Sequence, residues 1–306
     1  MGKQWDADIV LTETTVRTLL STQFPELGSV EVQSLDAGWD NSVFLVNGNY
    51  VFRFPRRKVA VELIETENRL LPWLASQLPL LIPNPCFTGI PTREYPFPFS
   101  GYLKINGVVP HKIKPNDKQR AQASLRLAEF LRVLHSLPIH TAVDLGIPTS
   151  DYIGRMDIEK RIPMFRAKVE EACEKGLIEK PQALLSELSD LAGLKWNRQE
   201  NRVVVHGDLN FRNFLVDRDG TVTGVIDWGD THIGHPAIDL SLVYSYLPAF
   251  TRPDFFKRYG EVHPETLLFA RFRALYVNIV MLLYAHDIGD TEQLIEAQRA
   301  LLNAVN

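Results

Sequence analysis

Four polar side chains recur at a fixed spacing, H-x-D-x4-N-x13-D, as His206, Asp208, Asn213 and Asp227. Apolar runs at 203–206, 213–217 and 222–227 separate them and are expected to be strands, with Asp219-Gly220 at a turn. Taken singly, Asp208, Asn213 and Asp219 are ordinary turn residues and Asp227 an ordinary helix cap. Taken together at strand ends, where a rigid scaffold aims side chains, they read as a site. Three convergent oxygen donors suit Mg²⁺, which is normally held by one or two carboxylates plus substrate phosphates. Asn213 with Asp227 would hold the metal and leave Asp208 to accept a hydroxyl proton. That division of labour is the phosphoryl-transfer scheme, in which catalysis is mostly positioning and charge neutralisation.

The rest of the chain must position these groups. Residues 9–23 have helical spacing, with Thr12 as N-cap and Val16, Leu19 and Leu20 on one face. Residues 30–54 are β-rich, with Asn47-Gly48 as a hairpin turn. Helical spacing returns over 60–76, where Pro72 is expected to kink or end the helix. Residues 80–107 are Pro-rich and aromatic and mark a change of character. From Asp117 the chain is mostly helical: one helix carries Leu127, Phe130, Leu131 and Leu134 before Pro138, and two more cover 158–176 and 180–193. The strands of the polar stretch interrupt this run, and everything from Pro236 onward is helical again. The expected architecture is a small sheet-plus-helix half followed by a larger helical half containing a β-hairpin.

Bulk properties exclude several classes. The 306 residues are 45% hydrophobic and 23% charged, with a net charge of -4 and no basic run, which argues against nucleic acid as a partner. No stretch approaches about 20 apolar residues, so no membrane span is expected. The N-terminus lacks the apolar block of a signal peptide and the myristoylation pattern, where Asp6 replaces Ser or Thr. The two cysteines, Cys86 and Cys173, are expected to be reduced and buried. These features point to a monomeric cytoplasmic protein.

The segment HGDLNFRNFLVD resembles the catalytic loop of the aminoglycoside phosphotransferase family, small-molecule relatives of the protein kinases. IDWGD looks like that family's metal-binding segment, and GHPAIDL like the segment whose acid braces the catalytic loop. The resemblance spans about residues 30–245. It implies an α+β, two-lobed protein-kinase-like fold: a small β-rich N-lobe over 1–105, a hinge near 99–107, and a larger mostly helical C-lobe over 106–306. It implies Asp208 as catalytic base, Asn213 and Asp227 as Mg²⁺ ligands, and Asp239 and His206 as structural groups.

The same resemblance assigns parts of the N-lobe. LDAGWDNSVFLV would cover ATP or GTP, with Gly38, Asn41 and Ser42 at the nucleotide, although it carries one turn glycine instead of the protein-kinase G-x-G-x-x-G. VFRFPRR places Arg53 where the family usually has lysine, with Glu67 as its partner. Arginine neutralises phosphate as a wide planar fork instead of a compact point charge. FSGYLKINGVVP is similar to the hinge of aminoglycoside 2''-phosphotransferases, with the backbone of Lys104 and Ile105 facing the purine.

The acceptor is expected to be an aminoglycoside, and as these are polycations the candidate contacts are acids: Asp230, and Asp287, Asp290 and Glu292 in HDIGDTE. The alternative acceptor is a macrolide, since VFRFPRR and LLYAHDIGDTEQL look equally like macrolide 2'-phosphotransferases. Tyr244, Tyr246, Phe250, Tyr276 and Tyr284 would then line the pocket. A kinase of a small amino alcohol or sugar is a third reading, because fold does not fix the acceptor. A nucleotide-binding pseudokinase, suggested by Arg53 in place of lysine, is a fourth; the intact Asp208, Asn213 and Asp227 speak against it.

Overall fold

The computed structural model describes residues 8–37, 41–191 and 201–306, and divides the chain into two compact units. The first comprises residues 1–77 and 81–105, the second 78–80 and 106–306.

In the first unit α1 (Glu13–Gln23) starts where Thr12 caps the Thr15 N–H, as the sequence indicates. Strands β1 (Val32–Ala37), β2 (Asn41–Val46) and β3 (Tyr50–Pro55) precede α2 (Val61–Gln77), and β4 (Pro85–Gly89) and β5 (Phe99–Leu103) follow it. They form an antiparallel sheet ordered β1-β2-β3-β5-β4. Side chains alternate across a strand, and β3 uses both faces. Phe52 and Phe54 enter an aromatic core with Phe24, Tyr95 and Phe99, packed under Val16, Leu19 and Leu20 of α1. Val51 and Arg53 point the other way. Of the two outcomes expected at Pro72, the helix does not end there: Leu70, Leu71 and Leu74 are buried around it. Burying three leucines at about 1.5–3 kcal/mol each outweighs the roughly 3 kcal/mol cost of an interior proline.

The second unit opens with α3 (Asp117–Ser136), whose start is a reciprocal capping box between Asn116 and Gln119. Next come α4 (Ile139–Asp144), α5 (Ile158–Glu174) and α6 (Pro181–Ser186). The helix expected over 180–193 is therefore a single short helix and a 3-10 turn; its far end lies outside the described residues. Strands β6 (Val203–Val205), β7 (Phe214–Val216), β8 (Val222–Val225) and β9 (His232–Gly234) precede α7 (Ala237–Ser245), α8 (Arg252–Tyr259), α9 (Pro264–Ile288) and α10 (Thr291–Val305). β7 and β8 form the expected hairpin, its turn held by Asp217 Oδ1 accepting from the Asp219 and Thr221 N–H groups at 2.9 Å each. β6 is not part of it: it pairs with β9.

α9 corrects the expectation of no long apolar stretch. It is long and apolar enough to cross a membrane by length and composition, yet 67% of its most apolar window is buried. It is the core helix of this unit, packed by α7 and α10, and Arg271 and Arg273 break its run in the sequence. A buried ion pair ties α3 to α10: Arg120 donates to both Glu296 oxygens at 2.6 and 2.5 Å and lies over the Tyr246 ring. The cysteines are free but neither is buried; Cys86 is exposed and Cys173 half-buried.

Candidate active site

The loop after β6 is built around Asp239, in the first turn of α7 and fully buried. Its carboxylate accepts from the backbone N–H of His206 at 2.7 Å and of Gly207 at 3.0 Å. His135 Nε2 approaches the same carboxylate at 3.2 Å, and His135 Nδ1 meets the Tyr259 hydroxyl at 2.7 Å. Burial pushes the Asp239 pKa up, but the hydrogen bond and charge of His135 and the contacts with His206 together hold it below its ordinary value. The N-terminal end of α7 favours the same negative charge.

His206 bonds within the loop. Its Nε2 lies 3.0 Å from the Ile226 carbonyl, its Nδ1 accepts from the Asp208 N–H at 3.3 Å, and its ring packs on Trp228. Gly207 has a φ of +90°, and a Cβ there would lie 2.1 Å from the Asp230 carbonyl oxygen. Only glycine satisfies both conditions.

Asp208 is thereby presented with one oxygen held and one open. Oδ2 accepts from Asn210 Nδ2 at 3.1 Å and Asn213 Nδ2 at 3.0 Å, and both amides also bond the Asp208 carbonyl. The side chain is 35% exposed, opening at Oδ1 toward Arg273 Nη2 at 4.0 Å. Its pKa is pushed up to about 6, first by desolvation and then by the charges of Asp230 and Asp227, with Arg273 and Arg155 opposing. A carboxylate so tuned still ionises below neutral pH and is a stronger base than a solvated one.

Asn213 and Asp227 are joined through Ile226, whose N–H donates to the Asn213 carbonyl at 2.9 Å. Asp227 adopts a left-handed φ of 65°, which costs a non-glycine residue energy and marks functional turns. With Nδ2 committed to Asp208, the Asn213 Oδ1 has no donor among the described residues. One carboxylate and one amide oxygen are hard donors that fit Mg²⁺ completed by water and phosphate. No group of three or more His, Cys, Asp or Glu with metal-site geometry exists among the described residues, so an all-protein cage for a soft metal is not formed there.

Three arginines surround this loop, and none was singled out from sequence. Arg155 donates to Asp151 at 2.8 Å and also bonds Asp230. Arg161 is used by the Gly154 and Ile153 carbonyls and the Tyr276 hydroxyl. Arg273, 9% exposed, stands opposite Asp208. The one sequence signal is its type: a charge inside the apolar run of α9.

In the first unit, Arg53 on β3 pairs with Glu67 on the buried face of α2, so the expected partners meet. Asn41 and Ser42 open β2 opposite Pro55 and Phe54, and the buried Asn41 Oδ1 has no donor among the described residues. Gly38 lies outside the described residues. Lys104 needs correction: its N–H already donates to the Asn49 carbonyl at 2.8 Å, leaving only its carbonyl for a ligand. Ile105 is buried at the end of the unit.

The expected acceptor acids do not form a free cluster. Asp230 is taken by Arg155, Asp287 by Lys175, and Glu292 by Lys112 and Lys114, while Asp290 caps α10 through the Gln293 N–H. Tyr244, Tyr246, Tyr276 and Tyr284 each carry a different arginine, and Phe250 is 67% exposed.

Residues 31–272 match the model of a family described as phosphotransferase enzymes. The chain belongs to this family. The fold agrees. A GDP complex of wild-type aminoglycoside 2'-phosphotransferase-IIIa superimposes with a TM-score of 0.68 and 26% identity, covering 96% of this chain and 99% of that one. A GDP and kanamycin complex titled APH(2")-IIia gives 0.64 and 26%, over 94% and 97% of the two chains. A macrolide 2'-phosphotransferase type I shares the fold at 0.60 and 20% identity, over 96% and 98%. A search of curated protein sequences returned no match. This phosphotransferase thus has the small antiparallel-sheet unit and the larger helical unit of its structural relatives.

Proposed function

We propose that this phosphotransferase transfers the γ-phosphoryl group of ATP or GTP to a hydroxyl of an aminoglycoside. The observation that carries the reading is the Asp208 carboxylate, fixed at Oδ2 by Asn210 and Asn213 and open at Oδ1. Nucleotide and kanamycin in the relatives at 26% identity support the donor and acceptor classes.

In this mechanism Oδ1 orients the acceptor hydroxyl and takes its proton. The acceptor oxygen bonds to the γ-phosphorus as the bond to the β,γ-bridging oxygen breaks, and the electron pair leaves with the nucleoside diphosphate. Asn213 and Asp227 would hold Mg²⁺, which when bound supplies charge neutralisation on the phosphates. Arg53, held by Glu67, is assigned to the α- and β-phosphates.

A macrolide acceptor is the second reading, favoured by one observation: each of the four acids expected to bind a polycation already has a partner within the chain. The test is steady-state transfer from ATP and from GTP with Mg²⁺ across aminoglycosides, macrolides, amino alcohols and simple sugars. Turnover of aminoglycosides supports the proposal, turnover of macrolides alone supports the second reading, and turnover only of amino alcohols or sugars sinks both. Nucleotide consumption that no acceptor stimulates would sink the antibiotic-kinase reading altogether.

A further inference from the structure

Arg273 is a charged side chain on the long apolar helix α9, and it has no hydrogen-bond partner among the described residues. Burial lowers its pKa to about 10, with the charge of Asp208 working the other way, so it stays cationic at neutral pH. A buried guanidinium with unused donors is costly unless something binds it. Its two arginine neighbours differ. The Nη atoms of Arg155 are taken by Asp151 and Asp230, and all three guanidinium nitrogens of Arg161 donate within the chain.

The geometry says where the missing partner sits. Arg273 Nη2 lies 4.0 Å from Asp208 Oδ1, too far for a hydrogen bond. Two hydrogen bonds of about 2.8 Å meeting at one atom span that gap. An oxygen in the recess can therefore touch both. The acceptor hydroxyl on Oδ1 lies there, and so does the phosphoryl group that becomes bonded to it. Charge points the same way: an anionic phosphoryl group arriving here meets Asp208, on which the charges of Asp227 and Asp230 also act, and the guanidinium that faces Asp208 is that of Arg273.

We propose that Arg273 is a further catalytic residue of this phosphotransferase, donating through Nη2 to a non-bridging oxygen of the phosphoryl group as it reaches the acceptor oxygen on Asp208. No bond to arginine forms or breaks; the group offsets charge on the equatorial oxygens during the transfer described above, as cationic side chains do in other phosphoryl transfers. This inference rests on the proposed function.

The test is R273M, which keeps the aliphatic volume and removes the charge and the donors. With the acceptor that turns over in the panel, or with water as acceptor in slow nucleotide hydrolysis, kcat should fall about 100- to 1000-fold. The nucleotide Kd should change less than about threefold. The melting temperature should hold or rise, because a desolvated charge is removed and no hydrogen bond within the chain is lost. A merely structural arginine would give the reverse: a lowered melting temperature with kcat within about threefold of wild type, and that result overturns the proposal. If R273M does not fold, R273Q is read by the same criteria. Failure of both to fold makes Arg273 structural and also overturns it. A wild type that turns over nucleotide with neither an acceptor nor water overturns the proposed function, and this inference with it.

Discussion

Replacing Gly207 by alanine probes the contact that sets the height of the loop carrying Asp208. The residue sits at φ +90°, and its Cβ would lie 2.1 Å from the Asp230 carbonyl oxygen. Real Cβ contacts essentially never fall below 3.0 Å, so the backbone must open by about 0.9 Å. The neighbour cannot simply give way, because the same carbonyl oxygen is 2.7 Å from His232 Nδ1 and the Gly207 N–H is fixed on Asp239. The shift therefore falls on the next residue, Asp208. A misplacement of about 1 Å at a reacting group costs roughly 100-fold in rate, and the left-handed backbone alone adds about 1–2 kcal/mol of instability. The expected variant has kcat/KM lowered about 100-fold, with a depressed melting temperature and nucleotide affinity near wild type. Steady-state kinetics, nucleotide titration calorimetry and thermal unfolding on the same preparation measure all three. A G207A protein with wild-type kcat/KM would refute the argument that this contact positions Asp208.

Three further outcomes are expected. Asp208→Asn should lower kcat by about 1000-fold or more, since the proton acceptor is gone, while thermal unfolding at neutral pH occurs at a higher temperature because a desolvated charge is removed; unchanged turnover would dismiss Asp208 as base. Glu296→Ala should destabilise by about 3–5 kcal/mol, because Arg120 is left charged and buried without its bidentate partner; urea unfolding showing under 1 kcal/mol would count against the pair. Stability should also fall between pH 6.5 and about 4: burial lowers the pKa values of His111 and His235 to about 4 and that of His232 in the same direction, so the unfolded chain binds more protons there. Asp208, raised to about 6, binds its proton in the folded state and opposes the trend by one group. Denaturant unfolding at several pH values gives the slope, and a flat profile would exclude neutral buried imidazoles.

The site was legible where it is local. His206, Asp208, Asn213 and Asp227 lie on one loop and the hairpin it feeds, so spacing alone placed them together. Arg53 and Glu67 came from the resemblance alone; the structure adds the reason they meet, since strand alternation points Arg53 away from the aromatic core and the helical face of Ile64 and Leu71 carries Glu67 inward. The ion pairs of Asp287 and Glu292 in HDIGDTE were not legible because Lys112, Lys114 and Lys175 come from distant elements. The β6–β9 pairing escaped for a similar reason. Strands of three residues carry too little alternation to declare a partner, and the true one lies beyond the β7–β8 hairpin. Arg273 was passed over as one charge in an apolar helix, although that anomaly is what the structure puts beside Asp208.

Ile226 has a consequence of its own. Its N–H holds the Asn213 carbonyl and its carbonyl faces His206 Nε2, so the backbone of a single residue clips the loop that carries Asp208 to the turn that presents Asp227. Such a clip works like a machinist's jig. When the surrounding helices breathe, Asp208 and Asp227 travel together and their spacing is preserved. The surrounding helices are then free to drift in sequence, while the Asp208 and Asp227 segments are carried along as one rigid insert.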